Sequence, residues 1–522
     1  MASGPPAGRP LLPEASRGLA IELGEALRAA GYTHDGVRTL LGPVAASALE
    51  RDETTPGLRA TRGGSPLETL VRLWPLQSPV PVSEVEAALP GMLDRLCVEG
   101  ILATSVGEVV ARVDISPYAD DAPDGPGSTG HDWLLASDLT PGMDGSPNRM
   151  RADYVLGVSA ASISLAQITT RDPVGSALDV GTGSGLQALH ASTHADRVIA
   201  TDVNTRALRL TAFTAAMNGV DAIDVREGSW FEPVAGELFD LIVSNPPFVI
   251  SPATGEQLVY RDSGLPGDRA VEQMVRTAPQ HLAAGGRCHL LADWVVRRGE
   301  PWAERLAGMV EESGCHAHIV QRELMDPAAY VELWLKDSGH HGGPDYAHRY
   351  DTWLSWFESQ GVEAIGFGWI SLQRAGDGPG DAAPQLRLEE WPHAVEQPVA
   401  PAYARWVEAA TGLAGLSDDD RAGRRLVRRD DIVQEPHGAP GAEDPETIVL
   451  RQHRLLRRAR TADTALAALV GACDGELTVG QILDALGRLL DVDGQALRAE
   501  LLPKVRELIA EDYLRLGATL VP

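Results

Sequence analysis

Apolar residues recur at helical spacing at Leu19, Leu23 and Leu27, with Ala26 and Ala30 alongside, and the run stops at Gly31, which predicts an early helix. A second helix is expected from Ser65, with Pro66 in its first turn, to Trp74. "VPVSEVEAALPGMLDRLCVEGIL" (80–102) carries further amphipathic helical pattern, and the apolar segment "EVVARVDI" (108–115) follows it. Helices followed by a short strand pair predict a winged-helix-like unit. The period then changes. "GSALDVGTGSG", "RVIATDVN", "IDVREGSWF", "FDLIVSNPPFVI" and "GRCHLLADWVV" are short strand-like runs separated by helical stretches. Such alternation predicts a mainly parallel sheet covered on both faces. "HAHIVQREL" (316–324) and "AIGFGWISLQR" (364–374) are expected to close it, with helices around 330–335 and 351–360.

The early pattern has a counterpart near the other end. "VPVSEVEAAL" (80–89) sets beside "LTVGQILDAL" (477–486), and "LDRLCVEGIL" (93–102) beside "VRELIAEDYL" (505–514) with a longer spacer. Two related helical units are one reading, and chance similarity of short amphipathic helices is the other. The expected division is a helical, winged-helix-like domain at 1–125, the alternating α/β domain at 126–398, and a second helical, winged-helix-like domain at 399–522. The first dozen residues are rich in Pro and Gly and are expected to be loose, and "AGDGPGDAAP" (375–384) and "EPHGAPGAEDPE" (435–446) are expected to be loops.

Length and composition narrow the class. At 522 residues, 44% hydrophobic, the chain is long enough for two to four packed units. No stretch approaches the roughly 20 apolar residues that cross a bilayer, and "MASGPPAGRP" has no signal-peptide character, so no membrane partner and a cytoplasmic location are expected. The four cysteines lack metal-ligand spacing and are expected to be buried thiols, with no structural zinc. A net charge of −28 opposes non-specific attraction to nucleic acid. The candidate recognition segments "GMLDRLCVEG" and "LLPKVRELIAED" carry at least as many acids as bases. "RAGRRLVRR" (421–429) and "RQHRLLRRAR" (451–460) concentrate arginine, and each is expected to be an exposed helix face.

The chemistry begins at "LDVGTGSGLQAL", where Gly181, Gly183 and Gly185 follow an apolar strand and precede a helix. Glycine suits a backbone that turns tightly and approaches a ligand closely. The spacing is G-x-G-x-G rather than the dinucleotide G-x-G-x-x-G, and Asp179 stands just before it. "VIATDVN" then ends its apolar run at Asp202, and a carboxylate at the end of a second strand can accept both ribose hydroxyls. Loop and acid together point to a nucleoside cofactor.

Over residues 130–375 the sequence resembles the class I S-adenosylmethionine-dependent methyltransferases, which implies a Rossmann-like seven-stranded core and S-adenosyl-L-methionine as cofactor. On that resemblance Asp179, Gly181, Thr182, Gly183 and Gly185 line the methionine part, and Asp202 and Val203 stand at the ribose. Ser229 and Trp230 of "EGSWF" fall where the family contacts adenine. Many relatives have an acid in place of Ser229; here a hydroxyl or a backbone N–H would substitute.

"DLIVSNPPFVI" (240–250) ends a strand in Asn245, two prolines and Phe248. Pro246 and Pro247 fix φ and withdraw two N–H donors, leaving a rim of acceptors. The Asn245 side-chain carbonyl and the Pro246 main-chain carbonyl can each take one hydrogen of an –NH2 group, and Phe248 offers a face for stacking. A delocalised nitrogen is a poor nucleophile, and acceptors that pull on its hydrogens direct its lone pair outward. N-P-P-F/Y is the signature of methyltransferases acting on planar nitrogens, so the resemblance implies Asn245, Pro246 and Phe248 as catalytic residues. It is similar to both the glutamine N5-methyltransferases of release-factor-modifying type and the ribosomal guanine N2-methyltransferases. The expected activity is N-methylation of a glutamine-type amide in a protein or peptide, with an RNA base, or a cofactor-sensing scaffold, as alternatives.

Three segments complete the inventory. Tyr260, Arg261, Asp262 and Gly264 form either a substrate lid or an ordinary loop. His340, His341 and His348 lack a completing ligand pattern and are not expected to bind metal. Trp133, Arg151 and Tyr154 lie where the family closes a segment over the cofactor; Arg151 or Tyr154 facing the site is one reading, and packing is the expected role.

Overall fold

A computed structural model of the chain describes residues 14–120, 130–145, 150–253, 261–376, 382–413, 415–440 and 446–516. The loose start expected for the first dozen residues lies outside them, as does the boundary at 125. The chain divides into two compact units, one comprising Met1–Ser313, Ile319–Leu372 and Leu388–Trp391, the other Gly314–His318, Gln373–Arg387 and Pro392–Pro522.

In the first unit the expected opening helix is Glu14–Ala29, and Leu19, Leu23 and Leu27 are almost completely buried. They pack in one apolar cluster with Leu210, Phe213 and Met217 of the helix Thr205–Met217. A Cβ added at Gly24 would lie 2.1 Å from the Met217 carbonyl oxygen, so the helices approach backbone to backbone. Arg28 fastens the contact through the Met217 carbonyl at 2.9 Å and the Asn218 side chain at 2.6 Å. The N-terminal helices therefore share a hydrophobic core with the α/β domain. The helix expected from Ser65 is Pro66–Leu73, and a reciprocal Ser65–Glu68 capping box satisfies its first N–H groups. The strand Val80–Pro81, the helices Val82–Ala88 and Leu93–Val98, and the hairpin Leu102–Ser105/Glu108–Ala111 complete the element order of a winged helix.

The α/β domain is built on an eight-stranded sheet in the spatial order Leu386–Glu390, Cys315–Met325, Val362–Arg374, Leu282–Arg297, Phe239–Ser244, Val174–Val180, Ala195–Asp202, Ile223–Glu227. Seven are the expected strands, and Leu386–Glu390 adds an eighth at one edge. The five that carry the glycine turn, the acid and the N-P-P-F segment pair in parallel. Strand order reverses between Val174–Val180 and Phe239–Ser244, which opens a crevice at their carboxyl ends.

The second unit repeats the helix–strand–helix–helix–strand order in Thr464–Ala472, Asp474–Thr478, Val479–Leu489, Gly494–Ala510 and Leu514–Leu516. Both aligned segment pairs fall at equivalent places, one at a strand-to-helix step and the other at a helix-to-strand step. Two sequence expectations need correction. Glu435–His437, expected as loop, ends the strand Ile432–His437, where Pro436 is tolerated because the strand lies at the edge of its sheet. The arginine runs are for the most part not helix faces: only Arg421 and Ala422 are helical, and the runs contribute to the strands Arg425–Arg428, Thr447–Gln452 and Ala459–Ala462. Much of their charge is neutralised by Arg421–Asp418, Arg429–Asp431, Arg451–Glu435 and Arg460–Glu511 pairs. The four cysteines are free, and among the described residues no helix is long and apolar enough to cross a membrane.

Candidate active site

The crevice holds a cavity of about 320 Å³, within the size range of small-molecule sites. Asp179, Gly181, Thr182, Gly183, Asp202, Val203, Ser229, Trp230, Asn245 and Pro246 all line it. Segments separated by more than sixty residues thus converge on one space.

The glycine turn is held from below. The Gly181 and Thr182 N–H groups donate to the Thr201 carbonyl at 2.8 and 3.0 Å, and the Thr211 hydroxyl donates to the Gly183 carbonyl at 3.0 Å. Gly181 (φ +75°) and Gly183 (φ +58°) occupy the left-handed region, and a Cβ on either would point into open space. That space is available to a ligand. Gly185 (φ +88°) corrects one expectation: it does not line the cavity. Its missing side chain makes room for Thr211, 3.0 Å from where a Cβ would stand, so it serves the packing of two helices.

Two acids face the cavity. Asp179 is 1% exposed, and burial pushes its carboxyl up to about 7 against the lowering effect of the Thr182 hydroxyl, 2.7 Å away; the charge of Asp202 adds to the rise. Asp202 is raised by burial, opposed by N–H donors from Asn204 at 2.8 Å and Gly183 at 3.1 Å. Two carboxyl groups in a low-dielectric space favour a ligand that brings positive charge and hydroxyl donors. Opposite them, Gly228, Ser229 and Trp230 form a tight turn. Trp230 has φ +51°, a strained value for a bulky side chain, and Pro233 packs where a Gly228 Cβ would be.

The strand Phe239–Ser244 delivers Asn245. The Ser244 hydroxyl donates to the Val180 carbonyl at 2.8 Å and locks the carboxyl ends of the two central strands together. The Asn245 Oδ1 is buried and has no hydrogen-bond partner among the described residues. An acceptor left empty in this way is costly unless a ligand donor fills it. Phe248 corrects a second expectation. It is half-buried, its backbone forms a β-bridge with Asp262, and it does not line the cavity.

The sequence reading missed several lining residues. Gln187 donates to the Ser162 carbonyl at 2.7 Å, Asn204 ties a segment at the cavity by donating to the Asp153 carbonyl at 2.9 Å, and Ser263 lines one side beside Asp262, which belongs to the segment read as either lid or loop. Tyr154 lines the cavity, the alternative to the packing role expected of it; Arg151 is exposed and pairs with Asp153, and Trp133 stacks on His131. Tyr260 lies outside the described residues. Only the serine preceding a helix at Ser159 gives a local signal, as an N-cap.

S-adenosylmethionine fits this set of residues. Asp179 with the Gly181–Gly183 turn would hold its cationic amino-acid end, Asp202 its ribose, and the Ser229–Trp230 turn its base.

Residues 157–313 match the methyltransferase small domain family, and residues 29–112 match a family described as a domain of unknown function. The release factor glutamine methyltransferase of Xylella fastidiosa (strain Temecula1) is 38% identical over 128 residues, 22% of this chain and 46% of that protein. The ribosomal protein uL3 glutamine methyltransferase of Bradyrhizobium diazoefficiens is 32% identical, over 21% of this chain and 38% of that protein. The ribosomal RNA small subunit methyltransferase C of Salmonella arizonae is 32% identical, over 26% and 36%. The chain spans about half the length, or less, of these curated relatives. The central part of the chain, residues 157–313, thus matches the methyltransferase small domain family, and the relatives it resembles are named as methyltransferases.

Proposed function

We infer that the chain N-methylates a planar nitrogen, a glutamine-type amide carried by a protein or peptide. The observation that carries this reading is the buried, unpartnered Oδ1 of Asn245, a residue that lines the cavity. Asn245 Oδ1 accepts one hydrogen of the substrate –NH2, and the Pro246 main-chain carbonyl accepts the other. When bound, the cofactor supplies the electrophilic methyl carbon. Held by two acceptors, the nitrogen presents its lone pair in line, and it sheds a proton once alkylated, so no strong general base is needed. Asp179, Gly181, Thr182 and Gly183 bind the amino-acid end of the cofactor, Asp202 and Val203 the ribose, and Ser229 and Trp230 the adenine.

The names of the relatives support an amide in a release factor or ribosomal protein, and such substrates imply a cytoplasmic reaction. One of these relatives is named for ribosomal RNA, but Arg421, Arg429, Arg451 and Arg460 of the arginine runs are ion-paired, and a net charge of −28 opposes attraction to a phosphate backbone. Purified protein, methyl-labelled cofactor, and either a bacterial release factor or ribosomal RNA provide the test. Label recovered as N-methylglutamine supports the reading; label recovered only in RNA bases overturns it.

A further inference from the structure

The N-P-P-F segment is followed by Val249 and Ile250, both buried, and something must hold this non-repetitive backbone in place beside the cavity. Part of the support is local. The Val249 N–H donates to the Arg261 carbonyl at 3.1 Å, and Phe248 bridges to Asp262. The rest comes from the helix Pro327–Asp337, which lies beyond the matched methyltransferase segment at 157–313.

Tyr330 on that helix is fully buried, and its hydroxyl accepts the Ile250 N–H at 2.8 Å. The same hydroxyl donates to the Asp293 Oδ2 at 3.1 Å, on the strand Leu282–Arg297. The ring is wedged between Phe357 and Phe367, with centroids at 6.1 and 5.7 Å. The helix grips the returning segment as well. The Arg261 guanidinium donates to the Trp334 carbonyl at 3.1 Å and to Asp337 at 2.9 Å, and lies 5.5 Å from the Trp334 ring centroid. Both arms of the loop that presents Asn245 are thus tied to one helix.

We propose that Tyr330 is a positioning residue for methyl transfer: through the Ile250 N–H it fixes the loop that aims the Asn245 and Pro246 acceptors at the substrate nitrogen. The inference rests on the function proposed above. Acceptors that act by alignment lose effect with small displacements, so a brace one loop away is part of the catalytic geometry without touching substrate. Asp293 completes the brace. It is 2% exposed, and burial raises its carboxyl well above the usual range, against the lowering effect of the Tyr330 hydroxyl bond.

Tyr330→Phe removes one oxygen and keeps the ring packing. Amide hydrogen exchange on the full chain is expected to accelerate at Ile250 by about tenfold or more, with the strand Phe239–Ser244 unaffected. With release factor as substrate, kcat is expected to fall about tenfold while KM for the cofactor stays within about twofold. Asp293→Asn, which keeps an acceptor for the Tyr330 hydroxyl, is expected to retain both protection and kcat to within about threefold. Unchanged Ile250 protection in Tyr330→Phe overturns the brace, and lost protection with unchanged kcat overturns its role in positioning. A wild-type protein that methylates no amide refutes the proposed function instead, and the exchange measurement then still decides whether the brace exists.

Discussion

The Asp202 carboxyl accepts the Gly183 N–H at 3.1 Å, so the acid ending the second core strand and the turn following the first form one unit. A second bond, from the Asn204 N–H at 2.8 Å, fixes the other oxygen. The group assigned to the ribose is therefore oriented before any ligand arrives. Replacing it by Ala removes both the ligand acceptor and the anchor of the turn. Asp202→Ala is expected to weaken S-adenosylhomocysteine binding tenfold or more, about 1.4 kcal/mol, by calorimetry. Undiminished affinity would remove Asp202 from the cofactor site.

Asp179 makes cofactor binding depend on pH. Its folded carboxyl sits at about 7, above its unfolded value, so the folded state holds an extra proton between roughly pH 4 and 7. Its contribution to the stability of the ligand-free protein is accordingly greatest at low pH and is lost as pH rises through 7. A cationic ligand requires the ionised form. S-adenosylmethionine affinity is expected to rise with pH up to about 7 and then level off. Asp179→Asn is expected to flatten that profile and to raise Tm at pH 8 while weakening binding. A wild-type affinity independent of pH between 5 and 8 would contradict this.

The three glycines of the turn look equivalent in sequence but not in space. Gly183→Ala places a methyl group in the open cavity at φ +58°, at a cost of about 1 kcal/mol in stability but with a large loss of cofactor binding. Gly185→Ala adds overlap with Thr211 and is expected to cost about 3 kcal/mol in stability. Denaturant titration alongside calorimetry separates the two, and matching effects would contradict the assignment.

The close approach of Gly24 to Met217 makes the first helix part of the α/β core. Gly24→Ala must push two helices apart and is expected to cost about 3 kcal/mol, lowering Tm for the whole first unit in a single transition. A separate low-temperature transition would show an independent N-terminal fold.

The chemistry of the site was legible because it is written in local spacing: a glycine turn after one strand, an acid after the next, an Asn-Pro-Pro after the fourth. Parallel pairing then carries those loops to one sheet edge without further information. What was illegible depends on distant partners. The role of Gly185 is set by Thr211 on another helix. Tyr154 reaches the cavity from a segment with no motif of its own. The arginine runs were expected as helix faces but place Arg425, Arg428, Arg451 and Arg460 in antiparallel strands, where Arg451 and Arg460 meet acids on a neighbouring strand and at a helix end. No local pattern encodes those pairings.

The empty acceptor at Asn245 carries the mechanism, and the most direct measurement compares turnover with cofactor binding in Asn245→Ala. Removing one of two acceptors that align a reluctant nucleophile is expected to lower kcat by about 100-fold or more, with S-adenosylmethionine Kd changed by less than about threefold. Turnover within twofold of wild type would contradict the acceptor mechanism.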